Sequence, residues 1–253
     1  MTILFYKYRH YMNLLCAIML LSALCGCKES KASKGNQSEE VLVYKARKQL
    51  SDGKYQAAIE PLTQLSNNYQ ISSNAQLYKL ELMHSEYRSG NYKAAIESAD
   101  QFFTLYPYEP NSDYALYIKT KASLKEFHAQ HWLPRVAREK YGYANSEILK
   151  DGIVSANLLI TNYPKSKYAD ETMELKSQMR EILLKRDYSI AQHYRRSHAY
   201  VASQRRLADV IVNTSSKKLL RRALEMTKAN YLSMQQPEEA QTIENLIQEN
   251  WGK

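Results

Sequence analysis

Cysteine is confined to the start of this chain, and its absence elsewhere limits the chemistry available. The 253 residues include three cysteines, and all three lie within the first 27 positions. No residue after Cys27 can therefore form an internal disulfide, bind a metal ion through sulfur or act as a thiol nucleophile. Glycine and proline are scarce too, with 7 and 6 residues. Together with abundant Ala, Leu, Lys, Arg and Glu, this scarcity favours helix.

Signatures of catalytic and metal sites are missing as well. The sequence contains no Gly-x-Ser-x-Gly, His-Glu-x-x-His, P-loop or dinucleotide-binding fingerprint. Two histidine pairs, His128/His131 and His193/His198, have no carboxylate cluster at ligand spacing beside them, so no metal site is predicted. We therefore expect a protein that binds partners, without enzymatic activity and without a cofactor.

The first 26 residues have the layout of a bacterial export signal. A basic start is followed by an apolar run at 14–24, which is short for a membrane span of about 20 residues. The run ends in Leu-Cys-Gly-Cys at 24–27, which resembles the lipobox of bacterial lipoproteins. An ordinary cleaved signal and an uncleaved anchor are the alternatives. We expect residues 1–26 to be removed and Cys27 to carry a covalent lipid.

The residues after the cysteine predict where this anchor places the protein. Several acyl chains make attachment to a membrane lasting, because one chain alone binds only marginally. By resemblance to proteobacterial lipoproteins, Lys28 in the second position indicates the outer membrane, facing the periplasm. Residues 27–40 are polar and lack apolar periodicity. They predict a flexible tether with a reach of roughly 20 Å.

An internal repeat with a period of 37 residues dominates the next part of the chain. Segments that begin at Ala46 and Met83 align without gaps, and self-similarity at this spacing is typical of a helical repeat array. In each copy a glycine permits a tight turn after a first helix, and a tyrosine two residues later begins the second. The matching residues are Gly53, Tyr55, Ala58, Ile59, Leu65 and Tyr69, with Gly90, Tyr92, Ala95, Ile96, Phe102 and Tyr106.

Three looser copies complete the predicted fold. The third pairs residues 113–127 with 146–163 and carries an insert at 128–145. The fourth covers about 170–213, and the fifth begins after 214–216 and continues to Ile247. The sequence therefore predicts an all-α fold, a tetratricopeptide-like (TPR) solenoid of about five helical hairpins. Aromatic residues at repeat positions are expected to pack between helices rather than to form a ligand cage: Tyr55, Tyr92, Phe102 and Tyr200.

One segment resembles a known family. Residues 102–124 read FFTLYPYEPNSDYALYIKTKASL. This is similar to the F-x-x-L-x-P-x-x-P-N-x-D-Y-x-x-Y stretch of the BamD (ComL) family, lipoproteins of the outer-membrane β-barrel assembly (Bam) machine. Residues 162–171 and 186–211 resemble later family segments in the same order. The sequence departs from the family at three places: the turn at 69–73, Thr120 where a glycine is usual, and the insert at 128–145.

The resemblance implies a scaffold in the outer membrane of a Gram-negative bacterium. Residues 41–110, the first two repeats, are expected to bind unfolded outer-membrane proteins. Residues 111–253 are expected to dock the barrel-forming BamA-type subunit through its POTRA domains, and other Bam lipoproteins are further expected partners. The alternative is a periplasmic TPR lipoprotein that coordinates peptidoglycan or other envelope-biogenesis enzymes. Residues 102–124 favour the first interpretation.

Basic residues concentrate in the later repeats. The net charge is +9, and residues 176–228 alone hold 13 Lys or Arg against four Asp or Glu. Some of these cations are solvated surface. The others favour an acidic protein partner, since Arg offers a planar fork to carboxylates. Anionic phospholipid is a second counterpart, and nucleic acid is not expected for an exported protein.

Two sets of candidate site residues follow. The resemblance places Arg206 at the docking site for the barrel subunit, with Arg205 as the fallback and Arg221 and Arg222 as further candidates. In TPR modules the first helix of each hairpin lines the binding groove. Arg47 and His84 are 37 residues apart on that helix, Arg88 lies one turn after His84, and apolar residues flank them. The groove candidates for an aromatic, carboxylate-ended segment are therefore Arg47, His84, Tyr87 and Arg88, alongside Leu50, Leu77 and Leu80.

Overall fold

The computed structural model describes residues 37–130 and 146–252, and every regular element in these ranges is a helix. Leu42–Lys253 forms one compact unit, and of the other unit, Met1–Val41, only residues 37–41 are described. The helices are α1 (Glu39–Ser51), α2 (Tyr55–Asn68), α3 (Ala75–Arg88), α4 (Tyr92–Leu105), α5 (Ser112–Gln130), α6 (Ser146–Asn162), α7 (Ala169–Arg196), α8 (Tyr200–Asn213), α9 (Lys217–Ser233) and α10 (Pro237–Trp251).

Each helix from α2 onward packs against the next one in the chain. First helices also contact each other across the hairpins, α3 with α5, α5 with α7 and α7 with α9. This is the packing of helical hairpins stacked side by side. The predicted all-α, TPR-like repeat fold is confirmed. Helix α1 begins at Glu39, so the last two residues of the predicted tether, 39 and 40, are helical.

Four hairpins use the same left-handed turn. Gly53 and Gly90 have φ values of 69° and 86°, as their repeat position predicts. His198 and Gln235 take the same role in the fourth and fifth repeats with φ values of 58° and 60°. In all four turns this residue donates its N–H to the carbonyl three residues earlier, and the next N–H reaches five residues back. His198 and Gln235 are also 37 residues apart, so the period persists after the glycine is lost.

Small residues recur where the second helix of each hairpin meets its neighbours. Three residues after Tyr55 the position is Ala58, and both it and its copy Ala95 are fully buried. Close approach of two helix backbones requires small side chains at the crossing. The equivalent residues of the later repeats are Gly152, Ser203 and Ala240.

Gly152 marks the tightest of these crossings. A Cβ atom at this position would lie 2.8 Å from Cβ of Ser123 on α5 and 2.9 Å from Sδ of Met179 on α7. Helix α6 can therefore pack this closely on both neighbours only without a side chain. Thr120, where the resembled family has a glycine, lies one turn before Ser123 on α5. It is buried and donates its hydroxyl to the carbonyl of Leu116 at 2.8 Å.

The buried apolar residues form clusters that follow the hairpins. The largest includes Met83, Phe102, Leu116 and Leu159, and it therefore extends across residue 110, where the functional division was predicted. Three further clusters among the described residues centre on Leu62, Met179 and Leu207. Within the two described ranges, none of the helices combines the length and apolar content that a membrane crossing requires.

Candidate functional site

Two of the predicted groove residues, His84 and Arg88, meet on one tyrosine. The His84 ring contacts the Tyr55 ring edge-on, with centroids 5.6 Å apart. The guanidinium carbon of Arg88 lies 4.5 Å from the centroid of the same ring, close enough for a cation–π contact. Tyr55 is only half-buried. It therefore joins two helices and also presents an aromatic ring at the surface.

His84 is also bonded to the third repeat. Its Nδ1 lies 2.5 Å from the hydroxyl oxygen of Tyr114. Burial, and then the charge of Arg88, hold the pKa of His84 below its usual value, which favours the neutral ring at pH 7. Burial raises the pKa of Tyr114, so Tyr114 is a neutral hydroxyl. This part of the surface is polar and uncharged apart from Arg88.

The other two groove candidates have different surroundings. Tyr87 is half-buried, its ring centroid is 5.8 Å from that of Tyr92, and the Lys121 ammonium lies 5.8 Å from its centroid. Arg47 is exposed on α1. Its charge lowers the pKa of Glu81, although burial of that carboxyl has the larger effect and raises it. Arg47 therefore has an acidic neighbour within the chain.

Aromatic residues that the sequence interpretation did not select continue this surface. The rings of Tyr117 and Tyr168 are stacked, with centroids 4.5 Å apart and planes 16° apart. Tyr114 lies 5.4 Å from Tyr168, centroid to centroid. The result is a band of rings from the first repeat to the start of the fourth. We call it the aromatic surface and define it by Tyr55, His84, Tyr114, Tyr117 and Tyr168, with Arg88 and Lys121.

The positive charge of Lys121 is paired with a carboxylate within this surface. Its ammonium donates to the hydroxyl of Tyr117 at 2.8 Å and pairs with Oε1 of Glu171 at 2.8 Å, and Tyr117 donates to Oε2 of Glu171 at 2.6 Å. Burial lowers the pKa of Lys121, but these two partners outweigh it and hold the pKa above its usual value. The hydrogen bonds from Lys121 and Tyr117 lower the pKa of Glu171. The network joins the third repeat to the fourth.

A sequence signal existed for part of this network. Tyr114, Tyr117 and Lys121 are spaced by three and four residues, which places them on one face of a helix. Tyr168 and Glu171 lie at least 50 residues from their partners. No local spacing reveals a contact at that distance.

The four predicted docking arginines do not form one cluster. Arg206 on α8 pairs with Asp187 on α7 at 3.1 Å, and its side chain remains half exposed. Arg221 pairs with Glu225 one turn later on α9 at 3.0 Å. Arg205 lines a cleft of about 440 Å³ that also includes Val201 and Met234. Arg206 and Arg221 therefore have carboxylate partners in the chain itself.

Arg222 lines a larger cleft between α7, α8 and α9. The volume of this cleft is about 540 Å³. The guanidinium carbon of Arg222 lies 4.8 Å from the ring centroid of Tyr188, which is buried. Two arginines from the last turn of α7, which the sequence analysis did not select, also line it. We call it the basic cleft; its main residues are Tyr188, Arg195, Arg196, His198, Tyr200 and Arg222.

Several sequence-based predictions fall outside the described residues. These are the signal at 1–26, the lipidation site Cys27, most of the tether and the insert after residue 130, which includes His131. Helices α5 and α6 are separated by 15 residues, whereas three residues separate the helices of the other hairpins. Within residues 37–130 and 146–252, no group of three or more His, Asp or Glu side chains is placed to hold a metal ion.

Comparison with known proteins gives the same answer along nearly the whole described chain. The YfiO family, described as an outer membrane lipoprotein, matches residues 36–246. "Outer membrane protein assembly factor BamD" of Pasteurella multocida is 26% identical over 235 residues, covering 91% of this chain and 88% of the relative. The protein of the same name from Neisseria gonorrhoeae is 23% identical over 247 residues, covering 95% and 92%.

A third relative agrees with these two. The Neisseria meningitidis serogroup B protein, also named "Outer membrane protein assembly factor BamD", is 23% identical over 216 residues, covering 85% of this chain and 80% of the relative. The resemblance found in residues 102–124 is thereby confirmed. A helical-hairpin array matched over 211 residues by one family, with full-length relatives of one name, leads to one assignment: the chain belongs to the YfiO family of outer membrane lipoproteins, which is the BamD family.

Proposed function

We propose that this protein is a non-catalytic scaffold of the outer-membrane β-barrel assembly complex. It is anchored in the outer membrane by lipid on Cys27 and faces the periplasm. The observation that carries the proposal is the family match over residues 36–246, supported by relatives named as outer membrane protein assembly factors. The work of such a scaffold is multivalent binding.

The first three repeats and the start of the fourth supply a surface suited to unfolded outer-membrane proteins. The aromatic surface offers the half-buried rings of Tyr55, Tyr114 and Tyr168 and the neutral hydroxyl of Tyr114, with Arg88 at one end. Rings of this kind bind apolar and aromatic side chains of an extended chain, and a guanidinium binds a carboxylate. The proposed substrate site therefore includes Tyr114 and Tyr168 besides the predicted His84, Tyr87 and Arg88, and the buried ring of Tyr117 supports Tyr168 from behind. Arg47 and Glu81 contribute a charged margin.

The later repeats supply the proposed docking surface for a BamA-type barrel subunit. Arg206 contributes to it although it already pairs with Asp187. An exposed ion pair of this kind contributes little to stability, so the arginine can exchange one carboxylate for another at low cost. Other Bam lipoproteins are the remaining proposed partners.

Affinity purification from detergent-solubilised envelopes tests this proposal. We expect a barrel-forming protein with POTRA domains to co-purify with the tagged full chain. Recovery of peptidoglycan enzymes in its place would contradict the proposal and support the alternative scaffold. A Cys27→Ala variant should leave the membrane fraction, whereas the unchanged chain should stay in it.

Arg206 can be tested separately from its internal partner. Arg206→Glu should reduce recovery of the barrel subunit, while Lys218→Glu, the same charge change at an exposed position of α9, should not. Exchanging the pair, Arg206→Asp with Asp187→Arg, restores an internal ion pair but moves the cation to α7. Recovery that stays low in the exchanged variant assigns the effect to the partner; full recovery would assign it to the internal pair.

A further inference from the structure

The basic cleft carries charge that its own lining does not neutralise. Its lining, all within the described residues, holds three arginines and one acid, Glu225. The carboxylate of Glu225 is paired at 3.0 Å with Arg221, which does not line the cleft. Arg195, Arg196 and Arg222 therefore face a common space with an excess of positive charge. Such a concentration of cations in a concave site attracts an anionic ligand.

Arg195 is held in place by buried side chains. One terminal nitrogen of its guanidinium donates to Oδ1 of Asn230 at 2.7 Å, and Nδ2 of Asn230 donates to Oγ of Ser203 at 2.9 Å. Asn230 and Ser203 are both fully buried. A buried, satisfied hydrogen-bond chain fixes the orientation of the group at its end. Arg195 thus presents its remaining donors in a fixed direction before any ligand binds.

Arg222 is oriented by a different device. Its guanidinium carbon lies 4.8 Å from the ring centroid of buried Tyr188, and this cation–π contact limits the positions that the side chain can take. Arg195 and Arg222 come from α7 and α9, so the two forks are set by the packing of separate helices. The planar fork of an arginine can bind a carboxylate through two parallel hydrogen bonds.

The floor of the cleft is apolar and indicates what accompanies the anion. Tyr188 and Met226 are buried there, and Tyr200 is half-buried. A cleft of about 540 Å³ has the size of a small-ligand pocket, enough for a few side chains. Rings and a thioether favour an aromatic or apolar side chain beside the anion. A lipid headgroup offers the anion but no such side chain.

We propose that the basic cleft binds a peptide segment of a partner protein in which an acidic side chain lies next to an aromatic or apolar one. The carboxylate is held by Arg195 and Arg222, and the neighbouring side chain packs on half-buried Tyr200, next to Tyr188 and Met226 in the floor of the cleft. The inference rests on the proposed function, because it locates the docking of an acidic partner segment at a place that none of the relatives' names specifies. In this proposal Arg222, and not Arg206, contributes most to binding of the acidic side chain.

Peptide binding to the full chain in detergent tests this directly. The probe is a fluorescein-labelled hexapeptide with two glutamates flanking phenylalanine and tyrosine, and the control probe has glutamine in place of glutamate. We expect the glutamate peptide to bind at least about tenfold more tightly, because a charged, forked hydrogen bond is lost in the control. Equal binding of the two peptides would overturn the proposal.

Matched variants assign the binding to the cleft. Arg222→Gln should weaken the glutamate peptide at least about fivefold, and Arg222→Lys, which keeps the charge but loses the fork, should weaken it too. Lys218→Gln removes the same charge from an exposed position of α9 outside the cleft and should change binding less than about twofold. Equal losses in Arg222→Gln and Lys218→Gln would show non-specific charge attraction and overturn the proposal.

Two further measurements distinguish peptide binding from lipid binding and from a loss of folding. Phosphatidylglycerol vesicles that bind the protein in an Arg222-dependent way and displace the peptide would identify a lipid ligand instead, and would overturn the peptide proposal. Circular dichroism of each variant confirms that the helices are intact. If the peptide binds but the envelope purification recovers no barrel subunit, the cleft is a peptide site and the proposed function is wrong. If the barrel subunit is recovered but the peptide does not bind, only the cleft proposal is wrong.

Discussion

The first two repeats and the last two turn between their helices in the same way, but with different residues. Gly53 and Gly90 occupy the left-handed position early in the chain, and His198 and Gln235 occupy it later. A residue with a side chain is strained in this conformation, whereas glycine is not. His198 lines the basic cleft. The later repeats thus accept a less favourable backbone, in one case with a side chain placed at the candidate site.

The two candidate surfaces differ in whether their charges are paired within the surface. In the aromatic surface, Lys121 is paired with Glu171 and hydrogen-bonded to Tyr117. In the basic cleft, the arginines outnumber the acids that line it. The first surface therefore uses its charges to join neighbouring repeats, and the second keeps them for a ligand. Three changes break or sharpen this comparison.

The largest effect is expected from exchanging the turn residues. Gly90→Ala should lower the free energy of unfolding by about 1 kcal/mol. The added methyl would meet no atom within 4 Å, so the loss comes from backbone strain alone. Gln235→Gly should raise the free energy of unfolding by about 0.5–1 kcal/mol for the same reason. Urea denaturation followed by circular dichroism measures both; destabilisation by Gln235→Gly would contradict the equivalence of the turns.

A smaller effect is expected from the charge network of the aromatic surface. Glu171→Gln should lower the free energy of unfolding by about 0.5–1 kcal/mol, a modest value because Glu171 is half exposed. A double-mutant cycle with Lys121→Met isolates the pair. Arg222→Gln in the basic cleft should cost less than Glu171→Gln. If Arg222→Gln proved the more destabilising, its arginine would be structural and the contrast between the two surfaces would disappear.

The smallest effect is the pH dependence contributed by His84. Its pKa is lower in the folded protein than its usual value near 6.5, so the unfolded chain takes up the proton first as the pH falls. Stability from this group is therefore complete above pH 6.5 and declines below it, toward the folded pKa. His84→Gln should reduce the change of the urea denaturation midpoint with pH between about pH 7.5 and 5. An unchanged slope would show that His84 does not titrate differently on folding.

The repeat architecture could be predicted from the sequence because it depends on residue types that recur at a regular spacing. The glycine, tyrosine and alanine positions of the first two repeats recur every 37 residues, and the small residues at Gly152 and Ser203 continue them. The turn at His198 was harder to recognise, because the residue that usually signals it is absent. Its remaining signal is Tyr200, two residues later, as Tyr55 follows Gly53.

The candidate site could be predicted only in part. His84, Tyr87 and Arg88 lie on one helix at a spacing of three and four residues, so the sequence predicts that they share a face. Pairs between helices left no such signal: Arg206 with Asp187 are 19 residues apart, and Tyr117 with Glu171 are 54 apart. Whether an arginine faces an acid of its own chain or an open cleft depends on packing. For this reason the sequence predicts Arg206 and Arg222 alike as docking residues, although only Arg222 lines the basic cleft, and it does not predict Arg195.

Gly152 has a mechanical consequence for the molecule. At this crossing the backbone of α6 lies against side chains of both α5 and α7 with no space for one added methyl group. A contact without slack resists sliding, since repulsion between atoms rises steeply at short range. The packing of α6 on α5 and α7 should therefore be the least deformable of these helix crossings. Bending would concentrate at other crossings, and the spacing between the aromatic surface and the basic cleft would hold when either one is loaded by a bound chain.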